Sequence, residues 1–160
     1  MTKTLTDIFW SNLSKIHVVL LSSSDGTPVP MSPLSRQEDG VIWFITSADH
    51  DNFKAAEAGA NADIYLCDSA CHMYGTIKGS LSASQDDEKL DALWSPLAAA
   101  WFDKGREDDT VRLMKYIPHK AEIWATDGIG KYLFETIRAN VTDAKPDTGE
   151  YGIIHFKEFT

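Results

Sequence analysis

Val41-Ile42-Trp43-Phe44-Ile45-Thr46 runs directly into Ser47-Ala48-Asp49-His50-Asp51-Asn52-Phe53-Lys54, and this junction decides how the chain is read. The first six residues are all β-branched or aromatic, and only the last is polar, so the run predicts a strand covered on both faces. The polar stretch after it predicts a loop that enters a short helix over residues 52–60, closed by Gly59 and Asn61. With hydroxyl, imidazole, amide and ammonium groups at a helix start, the loop is a candidate seat for a phosphate. An ordinary capped loop with a solvated Lys54 is the competing reading.

Working outward, residues 17–22 form a β-rich run, Ser23-Ser24-Asp25-Gly26 makes a tight turn, and a second strand is expected over residues 29–34. Glu38-Asp39-Gly40 then turns the chain into the Val41 strand, which completes a meander. A first helix over residues 7–15, capped by Thr6 or Asp7, places Ile8, Phe9, Leu13 and Ile16 on an apolar stripe. Further strands are expected over 62–67 and 73–83. In the second, Tyr74, Thr76, Lys78 and Ser80 alternate with Gly75, Ile77, Gly79 and Leu81. A helix from Asp86 or Asp87 to Leu93 is followed by one that Ser95-Pro96 opens and that carries Trp101 and Phe102. Strands over 111–117 and 121–125 and a helix over 132–141 come last.

Short strands joined mostly by hairpins, with helices added, indicate a mainly β fold: an antiparallel barrel of six to seven strands with α additions. Nothing suggests parallel βαβ winding. With 160 residues and no linker or repeat, one domain is expected over residues 1–142, and residues 143–160 are expected to form a loosely packed or dimer-associated tail.

Composition narrows the partners. The 15 Lys and Arg face 24 Asp and Glu, and a net charge of −9 repels nucleic acid and anionic membrane surfaces. No run approaches the length of a membrane span, no signal peptide is evident, and two Cys do not make a secreted disulfide framework, so a cytoplasmic location is expected. The chain carries no Walker loop, Gly-x-Gly-x-x-Gly, His-Glu-x-x-His or Gly-x-Ser-x-Gly motif. Cys67, Cys71 and His72 have the wrong number and spacing for a closed zinc site, so no metal is expected. Trp94, Trp101 and Trp124 each read singly as core aromatics, whereas Trp94 and Trp101, in short helices and loops, also suit a ligand or a second subunit.

A series of landmarks carries a resemblance. Pro30-Met31, Asp39-Gly40-Val-Ile-Trp-Phe-Ile-Thr46, Lys54, Tyr74-Gly-Thr-Ile-Lys-Gly79, Leu93-Trp94-Ser-Pro96, Ala100-Trp-Phe-Asp-Lys-Gly105 and Ala121-Glu-Ile-Trp124 occur in this order. Over residues 6–128 the chain resembles the general stress proteins of the pyridoxamine 5′-phosphate oxidase-like superfamily of FMN-binding split barrels. The resemblance implies a homodimer of split barrels with FMN between the subunits. It places Val29, Pro30 and Met31 beside the flavin ring, Thr46 and Ser47 near the ring and phosphate arm, and Phe44 among the cofactor-binding residues. Lys54 is assigned to the phosphate, Tyr74 to the pyrimidine edge, Trp124 to contact from the partner subunit, and Trp101 to the site without a defined role.

Three departures qualify these expectations. Val29 stands where the family has Arg before Pro-Met, with Arg36 as a distant substitute, which removes a bidentate phosphate contact. The interval from Thr46 to Lys54 is two residues longer than the family's, which leaves His50 or Asn52 to share the work of Lys54. Ala125-Thr-Asp-Gly-Ile-Gly-Lys131 replaces the Arg-Leu-His-x-Arg-like segment of true pyridoxamine phosphate oxidases, so that substrate is not expected. An FMN-dependent oxidoreductase is the first functional expectation, with no catalytic residue assigned. A non-catalytic flavin-binding stress protein and a degenerate barrel without flavin stay open as alternatives.

Overall fold

The structure, a computed structural model, describes residues 4–23, 26–125 and 150–157. Helix α1 (Leu5–Leu13) starts earlier than the sequence suggests, because Thr4 is its cap. The Thr4 hydroxyl accepts the Asp7 N–H at 3.1 Å and the Asp7 carboxylate accepts the Thr4 N–H, a reciprocal pair that satisfies two helix-end donors.

The strands are β1 (Val19–Ser23), β2 (Val29–Met31), β3 (Leu34–Arg36), β4 (Val41–Ser47), β5 (Asn61–Asp68), β6 (Met73–Ser84), β7 (Val111–Ala125) and β8 (Glu150–His155). Short helices intervene: α2 (Asp51–Glu57), α3 (Asp87–Leu93) and α4 (Pro96–Ala99). All pairings are antiparallel, in the order β2-β1-β5-β6-β7-β4-β3, with β8 also on β7.

The two ends of that order are neighbours in the chain. The expected second strand is broken at Ser32-Pro33: β2 pairs with β1, and β3 pairs with β4 at the opposite end of the sheet. Pro33 has no N–H to give a ladder, so the strand parts there. The three residue steps from Met31 to Leu34 reach no more than about 11 Å, so the sheet must curl until its ends lie side by side without pairing. This is a split barrel.

β4 is covered on both faces, as its composition requires. Ile42 and Phe44 enter the main core with α1, while Val41 and Trp43 pack against Leu90 and Leu93 of α3. A second difference from the sequence reading concerns Pro118. The two strands expected on either side of it are one continuous strand, β7, because the register shifts between Lys78 and Gly79 and leaves His119 as the extra residue. At a bulge the missing proline N–H costs no ladder bond. The third difference is β8, which pairs with the second half of β7 and buries Ile154, where the sequence alone suggests a loose tail. The helix expected over residues 132–141 lies outside the described residues.

Candidate functional site

A cleft of about 430 Å³ opens at the split. Pro30, Met31 and Ser32 come to it from β2 and its end, Ile45, Thr46 and Ser47 from the end of β4, and Leu97, Ala98, Trp101 and Phe102 from α4 and the turn after it. The polar lining consists of the hydroxyls of Ser32, Thr46, Ser47 and Ser95 and the imidazole of His50. Among the described residues no Lys, Arg, Asp or Glu lines this cleft. An apolar slot with a few convergent hydroxyls suits a flat, largely uncharged ring system.

Local bonding fixes the polar corner. Ala48 N–H donates to Thr110 O at 2.8 Å, and His50 N–H to Ser47 O at 3.0 Å, which turns the chain sharply out of β4. His50 then caps α2: its Nδ1 accepts the Asn52 N–H at 3.1 Å, so the neutral ring carries its proton on Nε2. On the other side α4 is capped by Ser95, whose hydroxyl accepts the Ala98 N–H at 3.2 Å. Phe102 is held against Trp94 with ring centroids 5.8 Å apart, but Trp101 projects so far that it is 81% exposed. The helix expected to carry Trp101 and Phe102 ends at Ala99, and both aromatics stand in the turn that follows.

A second hollow, of about 360 Å³, shares His50 with the first and is lined by Ser23, Gly26, Thr27 and Val29 on one side and Asp49, Asp51 and Asn52 on the other. Asn52 is buried, and its Nδ2 has no hydrogen-bond partner.

The sequence-derived candidates therefore divide into three groups. Pro30, Met31, Thr46, Ser47 and Trp101 meet in the first cleft, and Val29 lines the second hollow. Phe44 is fully buried in the main core, and Lys54 lies on α2 with its side chain exposed; neither lines either hollow. Tyr74 and Trp124 are register partners on β6 and β7, exposed on the outer face of the sheet. Trp124 stacks on Tyr151 of β8 with ring centroids 4.8 Å apart, and the Tyr151 O–H donates to Glu122 Oε1 at 2.9 Å, which holds the phenol above its ordinary pKa.

Sequence reasoning gave Val18, Ile45, Leu93 and Leu97 no place in the site, although all four line the cleft. Each reads as an ordinary apolar residue, and only the meeting of the chain before β1 with β4, α3 and α4 at the split brings them together. For Ile45, Leu93 and Leu97 the one advance signal was the aromatic residues around them.

The profile of proteins described as pyridoxamine 5′-phosphate oxidase like matches residues 6–147. The chain belongs to the pyridoxamine 5′-phosphate oxidase-like family. Within that family's fold it is similar to a general stress protein 26 from Jannaschia sp. CCS1, at 38% identity over 95% of this chain and 98% of that one, with a TM-score of 0.87. It is also similar to the general stress FMN/FAD binding protein of Xanthomonas citri, at 29% identity over 73% of this chain and 85% of that one, with a TM-score of 0.65. A general stress family protein of Xanthomonas campestris pv. campestris matches at 29% identity, covering 79% and 91% of the two chains, with a TM-score of 0.68. No curated protein sequence is significantly similar to the chain. As a member of the oxidase-like family, the chain keeps the split barrel and its cleft. Among its described residues no helix is long and apolar enough to cross a membrane, and no group of three His, Cys, Asp or Glu side chains converges on a metal position.

Proposed function

We propose that this chain is a flavin-binding general stress protein of the oxidoreductase type, which holds the ring of FMN in the cleft at the barrel split. The observation that carries the reading is the cleft itself, an uncharged slot with Pro30 and Met31 on one side and the hydroxyls of Thr46 and Ser47 at its end. Pro30, Met31 and Trp101 would cover the ring faces, while Thr46, Ser47 and the His50 imidazole would meet its polar edge. When bound, a flavin supplies hydride or single-electron transfer. The protein's own part is to exclude water with its apolar walls and to orient the ring through these hydroxyls. Pyridoxamine phosphate fits poorly as substrate, since no Lys or Arg among the described residues lines the cleft to receive its phosphate.

A homodimer completes the proposal. Val18, Leu20, Tyr65, Tyr74, Trp124, Tyr151 and Ile153 are large apolar residues exposed on one outer face of β1, β5, β6, β7 and β8 and on the residue before β1. A face that exposes this many large apolar residues has the character of an interface. Val18 belongs both to this face and to the cleft, so a second copy seated on the face would border the cleft and bring the partner's Trp124 toward it. Free Cys67 and Cys71 accord with the reducing cytoplasm.

A second reading, flavin storage or sensing without turnover, is favoured by one observation. Among the described residues His50 is the only titratable side chain lining the first cleft, and its Nδ1 is already occupied by the helix cap. One experiment separates the readings: purified protein is titrated with FMN, its visible spectrum is recorded, and reduction by NADH or NADPH is followed. Saturable binding below tens of micromolar with reduction supports the oxidoreductase, and binding without reduction by any donor supports the second reading. A colourless protein with no saturation overturns both.

A further inference from the structure

We infer that the flavin site recognises the ring and an uncharged, hydroxylated tail but not a terminal phosphate, so that the unphosphorylated flavin binds at least as tightly as FMN. The inference rests on the flavin reading above, and it comes from the second hollow, which shares His50 with the first. A tail leaving the ring at Ser47 and His50 enters a space whose charged lining is Asp49 and Asp51. Among the described residues neither hollow is lined by Lys or Arg. A phosphate monoester carries roughly −1.5 to −2 charges at neutral pH, and carboxylates repel it.

Three backbone N–H groups at the start of α2 are already engaged. In α2 the Asn52 N–H is taken by His50 Nδ1, and the N–H groups of Phe53 and Lys54 point to His50 O at 3.0 and 3.3 Å. The nearby cations are engaged or turned outward. Arg112 donates through one terminal nitrogen to Asp109 O at 2.7 Å and Val111 O at 2.9 Å, with its guanidinium 6.0 Å from the Phe53 ring centre, and the Lys54 side chain is exposed outside both hollows.

The same lining does suit hydroxyl groups. Asn52 is 4% exposed, and its unpartnered Nδ2 is a donor that needs an acceptor. The carboxylates of Asp49 and Asp51 accept, and the hydroxyls of Ser23 and Thr27 both donate and accept. A polyol carries donor and acceptor on every oxygen and can answer all of these groups, which a phosphate dianion, an acceptor only, cannot.

The test titrates the flavin-free, full-length chain with riboflavin and with FMN, following flavin fluorescence and heat. The expected result is a Kd for riboflavin equal to or below that for FMN, with the FMN value improving as salt screens the carboxylates. Val29→Arg, which adds a cation to the lining of the hollow, is expected to shift the ratio of the two dissociation constants about tenfold in favour of FMN. Lys54→Ala is expected to treat both ligands alike. FMN binding about threefold or more tighter than riboflavin overturns the inference while leaving flavin binding intact, and loss of that preference in Lys54→Ala would assign the phosphate to Lys54. A Val29→Arg chain that melts normally but gains nothing for FMN also counts against it. Binding of neither flavin overturns the functional reading itself, and this inference with it.

Discussion

His50 Nδ1 accepts the backbone N–H of Asn52 at 3.1 Å, and His50 lines both hollows. The bond fixes the start of α2 and with it both side chains. His50→Ala should destabilise the protein by about 1 kcal/mol through loss of the cap, whereas His50→Asn, which restores a capping side chain, should recover most of that loss. Urea unfolding of the three proteins without ligand checks this. A His50→Asn protein as unstable as His50→Ala would show that the cap is not the source of the effect.

Trp101 lines the cleft yet is 81% exposed, so its indole adds little to the folded chain by itself. Trp101→Ala should shift unfolding free energy by no more than about 0.5 kcal/mol. The same change should weaken flavin binding by roughly tenfold, the scale of one lost aromatic contact. Melting curves and a flavin titration on the same preparation separate the two effects.

Asp39 accepts from Lys89 Nζ at 2.8 Å and from Trp43 Nε1 at 3.0 Å, tying α3 to the turn before β4. The Lys89 hydrogen bond is the largest cause of an Asp39 pKa below the ordinary 3.8, and partial burial opposes it. Because the folded-state pKa is depressed, the stabilisation is fully present above the unfolded value and is lost as pH falls through the folded one. Asp39→Asn should therefore cost about 1 kcal/mol at pH 7, and the gap to the unaltered protein should close below the ordinary carboxylate range. Denaturation midpoints across the acid range give the comparison.

Tyr116 places its hydroxyl 2.9 Å from Ala62 O and 3.0 Å from Ile77 O, joining β7 to β5 and β6 inside the barrel. Burial holds its pKa far above the ordinary phenol value, so it stays a proton donor at every working pH. Tyr116→Phe leaves buried carbonyl groups short of a donor and should destabilise by about 1–3 kcal/mol, with an unchanged denaturant slope. An unaltered midpoint would mean that water replaces the phenol.

Much of this fold was legible from local chemistry. The unbroken apolar composition of Val41-Ile42-Trp43-Phe44 announced a strand covered on both faces, and the alternation from Tyr74 to Leu81 named the inner and outer residues of β6. The misreadings fell where a local signal was answered from a distance. Residues 111–117 and 121–125 read as two strands, whereas the bulge opposite Lys78 and Gly79 lets one strand run through Pro118. Residues 150–155 looked like tail because they become a strand only by pairing with β7.

The site divides along the same line. The family resemblance, and not side-chain chemistry, singled out Pro30, Met31, Thr46 and Ser47, which by themselves read only as strand residues beside a polar loop; the structure gathers all four on one cleft. That Phe44 faces the core while its neighbour Ile45 faces the cleft was decided by the pleat of β4 as it pairs with β7. That the second hollow gathers Val29, Asp49, Asp51 and Asn52 and, among the described residues, no lysine was decided by the curl that brings the end of β1 and the start of β2 against α2. Sequence fixes which groups a chain owns and how each short stretch wants to bend. The charge of a pocket is a sum over residues far apart in the chain, and only the closed barrel determines which of them enter it.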